Sequence, residues 1–145
     1  MNLERQCATA GHWTEDQYRQ AFQTDGPARL MLLAEASPSG ISRLKFGGTG
    51  VLGFLVAHPL DLEWELENIV VAPLARRHGL GKILLDALLA ATRENNSTAI
   101  FLEVRESNTA ARTLYEHFGF GPTGRRKAYY TDPPEDAILY RRTLR

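Results

Sequence analysis

The sequence has little that would hold a small protein together by covalent or metal links. Its 145 residues contain a single cysteine, Cys7, which excludes an internal disulfide and any zinc site built from several cysteines. A chain of this length can bury a hydrophobic core of its own, so it needs no covalent staple. A lone thiol agrees with a protein of the reducing cytoplasm. Because it lies near the start of the chain, we interpret Cys7 as an incidental thiol and not as a nucleophile.

A net charge and a long apolar run are absent as well. Seventeen Lys and Arg residues balance seventeen Asp and Glu residues, so no overall charge steers the protein to nucleic acid or to an anionic membrane. No apolar run reaches the roughly 18 residues that a membrane-spanning helix needs, and no signal-peptide pattern opens the chain. We therefore expect a cytoplasmic protein whose partners are neither nucleic acid nor membrane.

Apolar periodicity alternates between the strand and the helix pattern along the chain. The predicted elements are a helix at 14–23, strands at 29–36, 51–57 and 64–71, a helix at 79–95, a strand at 98–104, a helix at 109–118, and strands near 124–130 and 137–143. The last two strands flank Pro133-Pro134 and are expected to pair antiparallel at a sheet edge. This alternation predicts one α/β domain, residues 1–145, with a mixed sheet and helices on its faces.

The run Arg76-Arg77-His78-Gly79-Leu80-Gly81-Lys82 stands between a predicted strand and a Leu-rich helix. Its two glycines let the backbone approach a ligand closely, and the first amides of the helix have no partners within the helix. An anion therefore fits at this helix start, and the neighbouring Arg and Lys residues favour a diphosphate over a carboxylate. We interpret residues 76–82, called the cradle loop below, as a pyrophosphate site, with an ordinary glycine-rich turn as the alternative.

Two other nucleotide motifs fail on residue identity or position. A Walker A loop would need Gly at position 76 and Ser or Thr at position 83, where this chain has Arg76 and Ile83. The run Gly48-Thr49-Gly50-Val51-Leu52-Gly53 matches the dinucleotide pattern in letters only, because it precedes a strand instead of following one and opening a helix.

The cradle loop is one of several motifs that follow each other in a familiar order. They are Glu67-Asn68-Ile69-Val70-Val71-Ala72-Pro73, Arg76-x-x-Gly79-x-Gly81, Leu102-Glu103-Val104-Arg105, Ser107-Asn108, Ala111, Leu114-Tyr115, Gly119-Phe120 and Tyr129-Tyr130. Together they resemble the GNAT N-acetyltransferases, and within that superfamily they look most like the RimI group, the bacterial ribosomal-protein alanine N-acetyltransferases. The similarity runs from about Trp64 to Leu144, over half of the chain.

The resemblance implies a GNAT fold, a mostly antiparallel sheet splayed between its fourth and fifth strands, with acetyl-CoA as donor and no metal. The acetyl-pantetheine arm would bind the backbone of Ile69, Val70 and Val71, and the pyrophosphate would bind the cradle loop. Asn108 matches a residue that contacts the coenzyme arm in the family. An Asn at this position is equally expected as a plain helix cap.

Glu103 and Tyr115 are the catalytic candidates. Glu103 lies in an otherwise apolar strand, where a charge is costly to bury without a partner, and an ion pair with Arg105 on the same strand face is the alternative. Tyr115 lies among apolar positions of a short helix, so its surroundings alone favour a core tyrosine. The resemblance implies instead that Glu103 takes a proton from the attacking amine, directly or through water, and that Tyr115 protonates the departing thiolate.

The acceptor is less well defined than the donor. The leading prediction is the N-terminal α-amine of a protein, with a ribosomal protein as the family-based candidate. A small-molecule amine, such as a polyamine or an antibiotic, and a non-catalytic acyl-CoA-binding module stay open. Tyr129 and Tyr130 resemble the acceptor-side segment of the family, with a stacked pair at a sheet edge as the alternative.

The beginning of the chain departs from the family pattern. Only twelve residues precede Trp13, so the first strand of the fold is expected to be missing or shortened. The Ser- and Gly-rich loop at 37–50 is also longer than the hairpin expected there. These differences affect the acceptor side more than the coenzyme side, and the oligomeric state stays open.

Overall fold

The computed structural model describes residues 14–21, 28–35 and 50–145. The elements in these ranges are α1 (Glu15–Ala21), β1 (Leu30–Glu35), β2 (Val51–Leu60), β3 (Glu63–Val71), a 3-10 turn (Pro73–Ala75), α2 (Leu80–Glu94), β4 (Ala99–Arg105), α3 (Thr109–His117), β5 (Gly121–Thr131) and β6 (Pro134–Thr143). Each predicted element that falls in the described ranges is confirmed, with its ends shifted by a few residues. Predictions on the first strand, on Cys7 and on residues 37–49 lie outside these ranges.

Within the described residues, six strands form one sheet in the order β1-β2-β3-β4-β6-β5. Neighbouring strands run antiparallel except β3 and β4, which run parallel. The prediction of a mixed, mostly antiparallel sheet is therefore confirmed, and β5 and β6 pair at one edge as expected. Among the described residues, no helix is both long and apolar enough to span a membrane.

The sheet opens where its parallel pair separates. Pairing between β3 and β4 runs only from Glu63 opposite Ala99 to Leu66 opposite Leu102. On the other side of β3 the register with β2 skips Glu67, which forms a β-bulge. Because a bulge bends its strand and increases the local twist, the last part of β3 diverges from β4 and leaves a gap in the sheet.

Helices α2 and α3 pack on one face of the sheet. Buried leucines recur at helical spacing along α2, from Leu80 through Leu84 and Leu88. They meet Leu55 and Leu102 of the sheet in a single hydrophobic cluster. Full burial of each such side chain contributes about 1.5–3 kcal/mol, so this interface holds the start of α2 firmly against the gap in the sheet.

Gly53 explains why the dinucleotide-like run is glycine-rich near its end. A Cβ atom at this position, inside β2, would lie 2.8 Å from the carbonyl oxygen of Val70. The glycine is thus required by the close approach of β2 and β3. No helix follows it, which agrees with the rejection of a dinucleotide site here.

Candidate active site

A cleft of about 730 Å³ lies between the end of β3, the start of α2 and the start of α3. Its lining consists of Ile69, Val70, Val71, Ala75, Arg76, Arg77, Gly79, Leu80, Gly81, Lys82, Asn108, Thr109, Ala110, Ala111, Thr113 and Leu114. Ten of the eleven residues predicted from the sequence to bind coenzyme are among them, and only His78 is not. The structure therefore brings the two separate segments of the prediction, before and after β4, to one opening.

The start of α2 is built to leave amides for a ligand. Gly79 is the N-cap residue with φ of 81°, a left-handed conformation that residues with a side chain rarely adopt. No side chain in the described part of the protein caps this helix, so its first-turn N–H groups are available to an anion. Arg76 spans the loop, because its Nε donates a hydrogen bond to the carbonyl oxygen of Val71 at 3.3 Å.

Gly81 has a second reason to be glycine, which the sequence did not reveal. A Cβ atom there would lie 2.9 Å from Cδ2 of Leu114. The absence of a side chain therefore lets α2 and α3 approach each other closely at the cleft. The same glycine serves the packing of the two helices and the space for a ligand.

Asn108 caps α3. Its Oδ1 accepts a hydrogen bond from the amide of Ala111 at 3.2 Å, so the helix-cap prediction is confirmed. The residue also lines the cleft, which leaves its contact with coenzyme as a prediction. Thr109, Ala110 and Thr113 follow it in the lining and were not predicted; the run of small residues after the cap is the signal that could have identified them.

Glu103 lies on the opposite face of β4 from the core residue Leu102, because side chains alternate along a strand. Its side chain is 19% exposed and pairs with Nε of Arg126 at 2.9 Å. The Tyr129 side chain hydrogen-bonds with Glu103, and this bond is the main reason why the pKa of Tyr129 is raised. The carboxylate is thus held by two residues of β5.

The alternative interpretation, in which Glu103 forms an ion pair with Arg105, is wrong. The buried Arg105 guanidinium donates to the carbonyl oxygens of Asp132 at 3.0 Å and Pro133 at 3.1 Å, and lies 3.3 Å from a carboxylate oxygen of Glu135. It also lies 4.1 Å from the ring centroid of Tyr130. Arg105 therefore fastens the turn between β5 and β6 and supports Tyr130.

Tyr115 is a core residue by burial, only 5% exposed. Its ring packs against Phe120 and Tyr140, with centroids 5.9 and 6.3 Å away. Burial, and secondarily the neighbouring Tyr130, raise the pKa of its hydroxyl. The hydroxyl is consequently protonated at neutral pH, which a general acid requires.

Tyr130 connects the two catalytic candidates. Burial is the main cause that raises the pKa of Tyr130 to about 12, and the negative charge of Glu103 adds to it. Tyr130 in turn contributes to the raised pKa of Tyr115, as described above. Among the described residues, neither Glu103 nor Tyr115 lines the cleft. The four residues Glu103, Tyr115, Tyr129 and Tyr130, called the tyrosine–glutamate cluster, therefore adjoin the cleft without forming its wall.

The Tyr129 and Tyr130 rings meet edge-on, with an interplanar angle of 86° and centroids 5.1 Å apart. The alternative of a stacked pair is therefore wrong in its geometry. The two tyrosines differ in environment, since Tyr129 is 47% exposed whereas Tyr130 is partly buried, with its ring against the Arg105 guanidinium.

A second group of charged residues surrounds Glu65 and Glu67 of β3. Arg29 binds Glu67 with two hydrogen bonds, at 2.7 and 3.1 Å. His58 lies between Glu67 and Glu65, at 3.4 and 3.9 Å from their carboxylate oxygens. Burial raises the pKa of Glu65, and the charges of Glu67 and Glu103 raise it further. Negative charge is therefore in excess beside the cluster.

Comparison with known proteins agrees with the motifs. The family model of the GNAT acetyltransferases matches residues 4–120. The ribosomal protein bS18-alanine N-acetyltransferase of Escherichia coli K12 is 44% identical over 79 residues, which cover 53% of this chain and 53% of that protein. The chain thus aligns with about half the length of this relative.

Solved structures give the same fold. The crystal structure of the ribosomal-protein-S18-alanine N-acetyltransferase from Escherichia coli superposes with a TM-score of 0.78 at 29% identity, covering 99% of this chain and 84% of that one. Nourseothricin acetyltransferase superposes with a TM-score of 0.60 at 29% identity, covering 66% and 59%. The resemblance predicted from the sequence is therefore confirmed at the level of the family.

Proposed function

The chain belongs to the GNAT acetyltransferase family, and we propose that it transfers the acetyl group of acetyl-CoA to the N-terminal α-amine of a protein. The observation that carries the proposal is the cleft at the gap between β3 and β4, with an uncapped helix start in its wall and Glu103 and Tyr115 beside it. A thioester in the gap would have an anion site for its diphosphate and two acid–base groups at its reactive end.

The coenzyme half of the proposal assigns the pyrophosphate to the first amides of α2. Arg76, Arg77 and Lys82 line the same end of the cleft and supply positive charge. The pantetheine arm would follow β3 beyond Leu66, where the parallel ladder has ended and an extended ligand can take the place of a strand. The family and this geometry together support acetyl-CoA as the co-substrate.

The proposed chemistry is direct transfer. A peptide α-amine has a pKa of about 8, so near neutral pH much of it must lose a proton before it can attack. Glu103 accepts the proton of the attacking amine, directly or through water, as the C–N bond forms. The C–S bond then breaks, and the Tyr115 hydroxyl gives its proton to the thiolate, so coenzyme A leaves as a thiol.

The acceptor side favours a positively charged substrate. Arg29 pairs with Glu67 and Arg126 pairs with Glu103, whereas among the described residues the basic group within 4 Å of the Glu65 carboxylate is the imidazole of His58, at 3.9 Å. An incoming ammonium group would offset that remaining charge. This supports an amine that arrives protonated, and the names of the relatives reported above support the N-terminal alanine of a ribosomal protein such as bS18.

A small-molecule amine is the second candidate. The likeness to nourseothricin acetyltransferase favours it, because the same fold carries an activity toward an antibiotic there. A non-catalytic acyl-CoA-binding module is less consistent with the chain, since it would not need the paired Glu103 and the protonated Tyr115.

Release of free coenzyme A from acetyl-CoA tests the proposal. The purified protein is offered peptides that differ only at residue one, the same peptides with a blocked N-terminus, polyamines and aminoglycosides. We expect turnover with free peptides, highest with N-terminal alanine, and none after blocking. Turnover confined to polyamines or antibiotics would favour the second candidate. Binding of acetyl-CoA without release of coenzyme A for any acceptor would favour the non-catalytic module.

A further inference from the structure

A second groove, of about 560 Å³, lies between α2, the end of α3 and β6. Lys82, Asp86 and Arg93 line it from α2, where their spacing of four and seven residues places them on one helix face. His117 lines it from the last turn of α3, and Arg142 from β6. Lys82 also lines the coenzyme cleft, so the two spaces adjoin at the start of α2.

Positive charge in this groove is not balanced by its own residues. Among the described residues that line it, three cations, Lys82, Arg93 and Arg142, face a single carboxylate, Asp86, although the chain as a whole has no net charge. Burial lowers the pKa of Arg142, and the charge of Arg93 lowers it further, whereas Asp86 opposes the change. Two like charges held close together are relieved by a bound anion.

Arg142 is held in place independently of any ligand. Its Nη1 donates a hydrogen bond to the carbonyl oxygen of Phe118, at the end of α3. A guanidinium has five N–H donors in a rigid fork, so this bond leaves others for a ligand. A pre-oriented guanidinium with a second arginine nearby matches the oxygens of a phosphate better than those of a smaller anion.

We propose that this groove, lined by Arg93, His117 and Arg142, is a phosphate-monoester site separate from the cradle loop. Two sources of that group fit the groove. One is the 3′-phosphate of coenzyme A, which rests on the proposed function and would enter past Lys82. The other is a phosphate-bearing molecule that binds without coenzyme A. It fits because Arg93 lies eleven residues beyond Lys82, about 16 Å along the helix from the cradle loop.

Calorimetry with the full chain tests the site. The probes are inorganic phosphate, acetyl-CoA and acetyl-dephospho-CoA, which lacks the 3′-phosphate. The variants are Arg93→Gln, which changes an exposed side chain, and Arg142→Gln, with Lys127→Gln as a control that removes an exposed cation of β5 outside the groove. We expect Arg93→Gln to weaken binding of the phosphate group about tenfold, the effect of one charged hydrogen bond, and Lys127→Gln to leave it unchanged.

The outcomes separate the two sources. If the wild type prefers acetyl-CoA to its dephospho analogue and Arg93→Gln removes that preference, the phosphate is the coenzyme's. The groove serves another phosphate-bearing ligand if Arg93→Gln weakens the binding of inorganic phosphate without changing the preference for acetyl-CoA over its dephospho analogue. The same conclusion holds if the wild type has no such preference. The proposal is overturned if Arg93→Gln changes neither measurement, whatever Arg142→Gln does to folding. If acetyl-CoA does not bind at all, the proposed function fails. The binding of inorganic phosphate to the wild type and to Arg93→Gln then still tests whether the groove is a phosphate site.

Discussion

The cleft that we propose for coenzyme and the tyrosine–glutamate cluster adjoin at the same gap in the sheet but are built from different parts of the chain. The cleft is made from backbone and small residues, with the start of α2, the part of β3 beyond its ladder with β4 and the first turn of α3. The cluster is made from long side chains on β4, α3 and β5 that come near one another only in the folded protein.

This difference predicts how each region responds to substitution. A site formed by backbone amides is lost when a new side chain fills its space, whereas most neighbouring side chains can change. A site formed by acid–base side chains is lost when a single atom or proton is removed, even though the shape is preserved. Substitutions that respect or violate these rules test the comparison.

Gly81→Trp is expected to have the largest effect. The indole would fill the space over the first amides of α2 and push Leu114 aside, so measurable acetyl-CoA binding should disappear in calorimetry. Gly121→Trp is a control, because a Cβ atom there meets no atom within 4 Å. Intact acetyl-CoA affinity in a folded Gly81→Trp protein would refute the cradle loop.

Tyr115→Phe removes one oxygen atom and should lower turnover about 10²- to 10⁴-fold with little change in acetyl-CoA affinity. Tyr140→Phe is the matched control, because Tyr140 is also buried but its hydroxyl bonds to Glu116 at 2.6 Å and Arg112 at 3.1 Å. Steady-state kinetics on both proteins separates the roles. A Phe variant at position 115 that works at full rate would remove this tyrosine from the mechanism.

Glu103→Gln keeps the shape of the side chain but removes the proton acceptor, and we expect about a 10²-fold loss of turnover. Glu63→Gln is its control, since Glu63 also lies on the sheet and pairs with an arginine, Arg141, away from the cluster. Equal turnover in the two variants would argue that the Glu103–Arg126 pair is purely structural.

Arg105→Met tests whether the cluster depends on a supporting residue. Two carbonyl oxygens and the Glu135 carboxylate would lose a buried partner, at a cost of about 3 kcal/mol in the free energy of unfolding. Arg141→Met, which breaks an exposed ion pair, should cost less than about 1 kcal/mol. Urea denaturation measures both, and equal losses would contradict the special role of Arg105.

Asp136→Asn should have the smallest effect, visible in the pH dependence of stability. The amide of Ala128 and the guanidinium of Arg125 lower the pKa of Asp136 below its ordinary 3.8. A carboxylate with a lowered pKa stabilises the fold above pH 3.8, and this contribution is lost as pH falls through the pKa of the folded state. The difference in unfolding midpoint between wild type and variant should therefore be present at pH 7 and vanish in strong acid. A constant difference would exclude titration as its cause.

Local sequence was sufficient for features that depend on neighbours in the chain. The start of α2 at Gly79, the cap at Asn108 and the strand before the cradle loop all follow from residues a few positions apart. Helix capping and anion binding at a helix start are local effects of unpaired backbone groups, so their sequence signals are strong. For this reason most of the residues that line the cleft could be predicted from the sequence, and their binding of coenzyme stays a prediction.

Only the tertiary structure decided which charged groups meet. Sequence spacing suggested Arg105 for Glu103, but pairing of β4, β6 and β5 brings Arg126 to Glu103 and gives Arg105 to Glu135. Likewise, Lys82, Arg93 and Arg142 share a groove because two helices and a strand converge there. Charges interact through space rather than along the chain, so strand register and helix packing must be known before their partners can be named.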